Sequence, residues 1–151
     1  LNRREAFWMK AYREQVDDPE YKVFSFKSPI EADYCYCLIN SSLFWWYWIS
    51  VSDCWPVSKD LNGFMMPMKV NMTGATELAQ GLRQRLEETK VYVGTKQTQY
   101  EYKHRECLEE IRAIDDFINA AYGLTEAESN YIKNFAIRYR TSGGIDADEN
   151  N

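Results

Sequence analysis

The chain has 151 residues, enough for one compact unit, and its 45% hydrophobic and 15% aromatic content excludes global disorder. A net charge of -5 and a pI near 5.0 exclude an indiscriminate polyanion binder. The charge is unevenly spread: residues 56–105 hold eight Lys/Arg against five Asp/Glu, and residues 106–151 hold four against ten. A nucleic-acid face is therefore expected on the central or N-terminal part.

In chain order, Phe7, Trp8, Ala11, Tyr12 and Val16 recur at a spacing that predicts a helix over 1–16, ended by Asp17-Asp18-Pro19. Lys22–Lys27 alternates in a way that suits a strand. Ser28-Pro29-Ile30-Glu31 is a helix start, with Ser as N-cap, Pro at the first helical position and Glu at N3. The helix is expected to be long and buried, spanning about 29–50. Within it, Tyr34–Val51 is free of charge, a borderline length for a membrane span. Asn40-Ser41-Ser42 in the middle, and Trp residues directly after it instead of at the ends, argue for a buried helix and no membrane. Close packing is the expected role of Asn40-Ser41-Ser42, and most of Trp45-Trp46-Tyr47-Trp48 is expected in the core.

Asp53–Pro67 reads as loop, with a helical turn from Ser58, and Lys69–Met72 as a short strand. Leu78, Leu82 and Leu86 predict an amphipathic helix over 75–91. Val91–Lys103 reads as a loop or hairpin around Gly94. Cys107, Ile111, Ile114, Ile118 and Ala121 line one face of a helix over 105–121, stopped by Gly123. Thr125-Glu126-Ala127-Glu128 is a capping box that opens a short helix over 126–134. The expected fold class is α+β, mostly helical with a few short strands. Residues 1–140 form one unit and 141–151 an acidic, flexible tail.

Catalytic chemistry is sparse. His104 is the single histidine, and neither a Walker A loop nor a G-x-G-x-x-G run occurs. Cys35, Cys37, Cys54 and Cys107 lack the paired spacing of a zinc site and read as reduced, structural thiols of a cytoplasmic protein. Two E-x-K triplets, Glu20-Tyr21-Lys22 and Glu101-Tyr102-Lys103, lack the upstream Asp that a nuclease metal site needs.

Three stretches, in order, carry a resemblance. Leu38-Ile39-Asn40-Ser41-Ser42-Leu43-Phe44 resembles the "LLNSxLF" helix in the target-recognition regions of TaqI-like adenine-specific DNA methyltransferases, with related forms in type IIG restriction–modification enzymes and type I specificity subunits. Ser52–Leu61, followed by Phe64 and Pro67, resembles their "hxLxKxDLxxFPxP" loop, although Cys54-Trp55 replaces the usual pair. Glu109–Asp115, Tyr122–Glu128 and Ile137-Arg138-Tyr139-Arg140 resemble the terminal "IDEID…YGLTEEE…DIKYR", with Ala136-Ile137-Arg138 in place of its acidic start.

The resemblance implies the C-terminal, DNA-sequence-reading part of a site-specific adenine methyltransferase. The S-adenosylmethionine motif and the "NPPY" motif for the flipped adenine do not occur here and belong to a catalytic domain expected upstream of Leu1. The implied partners are double-stranded DNA and that domain, and the chain itself is expected to hold no cofactor. The candidate DNA contacts are Lys22, Lys27, Ser58, Lys59, Lys69, Lys96, Lys103, His104 and Arg105, chosen for polarity or charge and for loop or strand-edge position. The alternative reading is a helical interaction module without nucleic-acid function, to which the acidic C-terminal part is suited.

Overall fold

The computed structural model describes residues 7–14, 19, 21–52, 63–67, 70–95 and 99–141. Its elements are α1 (Pro29–Asn40), α2 (Ser42–Val51), α3 (Ala75–Thr89), β1 (Val91–Tyr92), β2 (Tyr100–Glu101), a 3-10 turn (His104–Cys107), α4 (Leu108–Ala121), α5 (Glu126–Asn134) and α6 (Ile137–Thr141). The chain is thus mostly helical, with one antiparallel two-stranded ribbon that pairs Val91 with Glu101 and Tyr92 with Tyr100. No helix among the described residues is long and apolar enough to cross a membrane.

The long helix expected over 29–50 is two helices. Ser28 caps the first as the sequence indicates, its Oγ accepting from the Glu31 N–H. At Ser41 the backbone turns extended (φ -73°, ψ 154°), and the Ser41 Oγ accepts from the Phe44 N–H to start α2. The break is stabilised by polar groups that a continuous helix would leave idle. The Asn40 amide donates to the Ala11 carbonyl at 3.2 Å and to the Tyr36 carbonyl at 2.9 Å. The Ser42 N–H, orphaned by the break, donates to Asp115 Oδ1 at 2.6 Å. Asn40, Ser41 and Ser42 are all buried, so this triplet serves the interior, as a joint between helices and not as a mid-helix packing surface.

Other expectations meet the structure unevenly. Residues 7–14 form no helix, and 21–27 form no strand beyond a bridge at Tyr21. In the first segment local spacing lost to tertiary contacts: Ala11 bonds the Asn40 side chain through both backbone groups. Residues 70–72 also lie outside any strand. The turn expected from Ser58 and the tail from 142 onward fall outside the described residues. α3 is present, but its buried stripe is Ala75, Ala79, Leu82 and Leu86, with Leu78 only half-buried. The helix expected from 105 begins as the 3-10 turn and becomes α-helical at Leu108.

α4 is the spine of the core. Ile111, Ile114 and Ile118 are fully buried at helical spacing, and α4 packs on α1, α2, α3 and α5. Each such side chain contributes roughly 1.5–3 kcal/mol through burial. The helix stops at Gly123 (φ 70°), where the Leu124 N–H bonds the Asn119 carbonyl and the Gly123 N–H bonds the Ala120 carbonyl. Thr125 and Glu128 then form the expected capping box of α5. Trp45 and Trp48 are buried and Trp46 and Tyr47 half-buried, so the aromatic run is mainly core.

The chain's two described ends meet at Arg140. Its guanidinium lies 4.1 Å from the Trp8 ring and 4.3 Å from the Trp45 ring. It donates to the Phe7 carbonyl at 3.0 Å and to the Ser42 Oγ at 3.2 Å, while Trp8 Nε1 donates to the Arg140 carbonyl at 2.8 Å. Burial pulls the Arg140 pKa down to about 10, with the nearby Asp115 charge opposing the shift. Burial pushes Asp115 up to about 6, opposed by its bonds to Ser42 and by Arg140.

Candidate functional site

The segment that precedes α1 folds back over it and leaves a cleft of about 280 Å³, lined by Tyr12, Arg13, Tyr21, Lys22, Phe24 and Tyr36 among others. Tyr12 is the hinge of this region. Its ring is 6.1 Å from Tyr21, 5.6 Å from Tyr102 and 6.0 Å from His104. Lys22 and Lys103 are each one residue along the chain from a ring that rests on Tyr12, so two separate candidate segments are brought side by side.

The individual candidates are placed as follows. Lys22 is half-buried in the cleft wall, its Nζ 5.3 Å above the Phe24 ring. Lys27 is exposed, and its backbone N–H donates to Glu31 Oε2 at the start of α1. Lys103 is half-buried, and Arg105 is half-buried with its Nε 3.3 Å from Glu106 Oε1. His104 is 2% exposed, which removes it from any surface contact. Desolvation, helped by the Lys10 charge, lowers its pKa to about 3, so it is neutral at physiological pH. A histidine between Lys103 and Arg105 reads as surface by charge alone; the Tyr12 ring and the turn into α4 draw it inward. Ser58, Lys59, Lys69 and Lys96 lie outside the described residues.

Arg13 was not among the sequence candidates, because its segment reads as an amphipathic helix. Its Nε lies 2.8 Å from Asp33 Oδ1. The other Asp33 oxygen accepts from Thr76 Oγ1 at 3.1 Å. The relay from α3 through α1 holds the guanidinium at the cleft. Glu14 also lines the cleft, and its carboxylate is paired with Arg83. No local sequence signal marks this arrangement, which joins residues 13, 33 and 76.

The stretches that carry the family resemblance converge elsewhere. Ser42 of the first, and Asp115 and Arg140 of the third, share the buried seam described above. Phe64 of the second packs 5.0 Å from Phe44 of the first and 5.7 Å from Tyr122 of the third, and the Tyr122 hydroxyl donates to the Met65 carbonyl at 2.9 Å. Among the described residues no group of three or more His, Cys, Asp or Glu is placed to hold a metal ion. Cys35, Cys37 and Cys107 are free thiols; burial raises the pKa of Cys35 and Cys107 and pushes Cys37 up to about 12. None therefore has the lowered pKa of an activated nucleophile. No family model matches the chain, and neither a curated protein nor a solved structure matches it.

Proposed function

We propose that this chain is the C-terminal, DNA-sequence-reading part of an adenine-specific DNA methyltransferase or restriction–modification enzyme. The reading is carried by one observation: three stretches resemble that family in the right order, and their side chains meet in the fold. Ser42, Asp115 and Arg140 share one polar seam, and Phe44, Phe64 and Tyr122 share one aromatic cluster.

In this reading the chain positions itself on duplex DNA through Lys22 at the cleft and the exposed Lys27, with Lys103 and Arg105 on the segment that meets Tyr12 from the other side. Phosphate contacts of this kind fix register, and polar and aromatic neighbours reach base edges. Methyl transfer, with S-adenosylmethionine, belongs to the catalytic domain expected upstream.

The test is binding of the chain to a mixed-sequence duplex across a salt series. The expected result is an affinity whose logarithm falls linearly with the logarithm of salt, with a slope of about -0.9 for each phosphate neutralised. Absence of binding even at low salt overturns the proposal. It favours instead a helical interaction module, a reading to which the exposed Val23, Phe24 and Phe26 are suited.

A further inference from the structure

We infer that the cleft beside α1 seats a single unstacked nucleotide, its base against Phe24 and its phosphate at Arg13 and Lys22. The inference rests on the nucleic-acid reading above and assigns a ligand class to one place within it.

Four features of the cleft point this way. Its volume of about 280 Å³ is near the lower end of the roughly 300–1,000 Å³ typical of small-molecule sites, so it suits one nucleotide and not a duplex. Its wall presents aromatic rings to solvent at a cost: Phe24 is 38% and Phe26 41% exposed. Exposed rings beside cations are the usual platform for unpaired bases, because every base has a stacking face.

Arg13 is oriented in advance. Its Nε lies 2.8 Å from Asp33 Oδ1, and Thr76 fixes that carboxylate through its other oxygen. A guanidinium fixed in this manner offers a ready fork to a phosphate. The Lys22 ammonium over Phe24 puts a second positive charge at the same wall. Among the described residues of the lining Glu14 is the acidic one, and it is paired with Arg83.

The last feature is an unmet polar group. Tyr36 lines the cleft, is 3% exposed, and its hydroxyl has no hydrogen-bond partner. Buried hydroxyls are normally paired, so this one leaves an unmet polar group behind the cleft wall. The competing explanation is purely structural: the Arg13–Asp33 pair fastens residues 7–14 to α1 and the cleft takes no ligand.

Fluorescence anisotropy with two short labelled duplexes separates these explanations. One duplex is fully paired, and the other carries one unpaired adenosine at its centre. The unpaired nucleotide spares the protein the cost of extruding a base, so the expected preference for the second duplex is about tenfold. Phe24→Ser and Arg13→Gln are each expected to reduce that ratio to about one. Phe24 is partly exposed, so its substitution tests the cleft without emptying the core, and circular dichroism checks that both variants are folded. Equal affinity of the unaltered chain for the two duplexes overturns the nucleotide inference and leaves the DNA reading standing. A preference that survives both substitutions also overturns it. Failure to bind either duplex overturns both.

Discussion

Two of the cation–ring contacts among the described residues have opposite surroundings. At the seam, the Arg140 guanidinium lies between the rings of Trp8 and Trp45 and is 2% exposed. On the ribbon, the Lys90 ammonium stands 4.5 Å from the Tyr100 ring and 6.0 Å from Tyr102 while Tyr92 and Tyr100 face solvent. The cation at the seam is desolvated and donates to the Phe7 carbonyl and the Ser42 hydroxyl, so it organises the fold. The cation on the ribbon is hydrated and competes with water, which makes its pairing with Glu87 a local matter. The most motif-like residues of the chain are thus spent on holding it together. Exposed rings on the ribbon and around the cleft, Tyr92, Tyr100, Phe24 and Phe26, take no part in that seam.

This contrast can be broken most forcefully at Arg140. Arg140→Ala removes one of the cationic charges that favour ionised Asp115 and the side-chain contact with residues 7–8, at a cost of about 3–5 kcal/mol in denaturant unfolding. Arg140→Lys is expected to recover only part of that, because an ammonium cannot reproduce two donations in a fixed plane. Retention of full stability by Arg140→Ala would show that the seam is incidental.

Two buried groups give the next largest effect, with opposite signs. Asp115 has its folded pKa raised to about 6, so the stability it contributes is fully present below the ordinary carboxylate value and is lost as pH rises through about 6. The span is on the order of 3 kcal/mol. His104 is lowered to about 3, so its contribution is present above its ordinary value of 6.5 and is lost as pH falls from there toward 3. Between pH 4 and 6 the two trends oppose each other. Asp115→Asn is expected to leave stability that rises with pH across this window, and His104→Gln stability that falls; urea unfolding at several pH values reads both. Identical profiles for the two variants would contradict the assignment.

Smaller effects are expected where the chain is exposed or bent. Ala136 holds a left-handed conformation (φ 51°) between α5 and α6, and its carbonyl accepts from the Tyr139 and Arg140 N–H groups. Ala136→Gly relieves that strain and is expected to stabilise the fold by about 0.5–1 kcal/mol, seen as a raised Tm. Tyr92→Ser on the ribbon is expected to change unfolding free energy by no more than about 0.5 kcal/mol.

Particular residues show how far the sequence could be read. Ser28, Gly123 and the Thr125–Glu128 box act over three or four residues, and each capped or stopped its helix as expected. The stripe Ile111, Ile114, Ile118 was legible for the same reason, since one helix face is a local pattern. Ser41 was not, because its break is stabilised from Ala11 and Asp115, far away in the chain. The cleft escaped notice on the same grounds: Arg13, Asp33 and Thr76 meet only after three segments have packed. Lys22 and Lys27 were legible as charges, whereas the burial of His104 depends on Tyr12, ninety-odd residues upstream by number alone.

The claim that recognition resides on the exposed segment, apart from the scaffold, is tested most directly by Lys22→Gln combined with Lys27→Gln. Duplex affinity across a salt series and unfolding free energy are measured on the same preparation. The predicted result is weaker binding to every sequence, a salt slope reduced by about two, and an unchanged unfolding free energy. Unaltered affinity and slope in a folded double variant would contradict it.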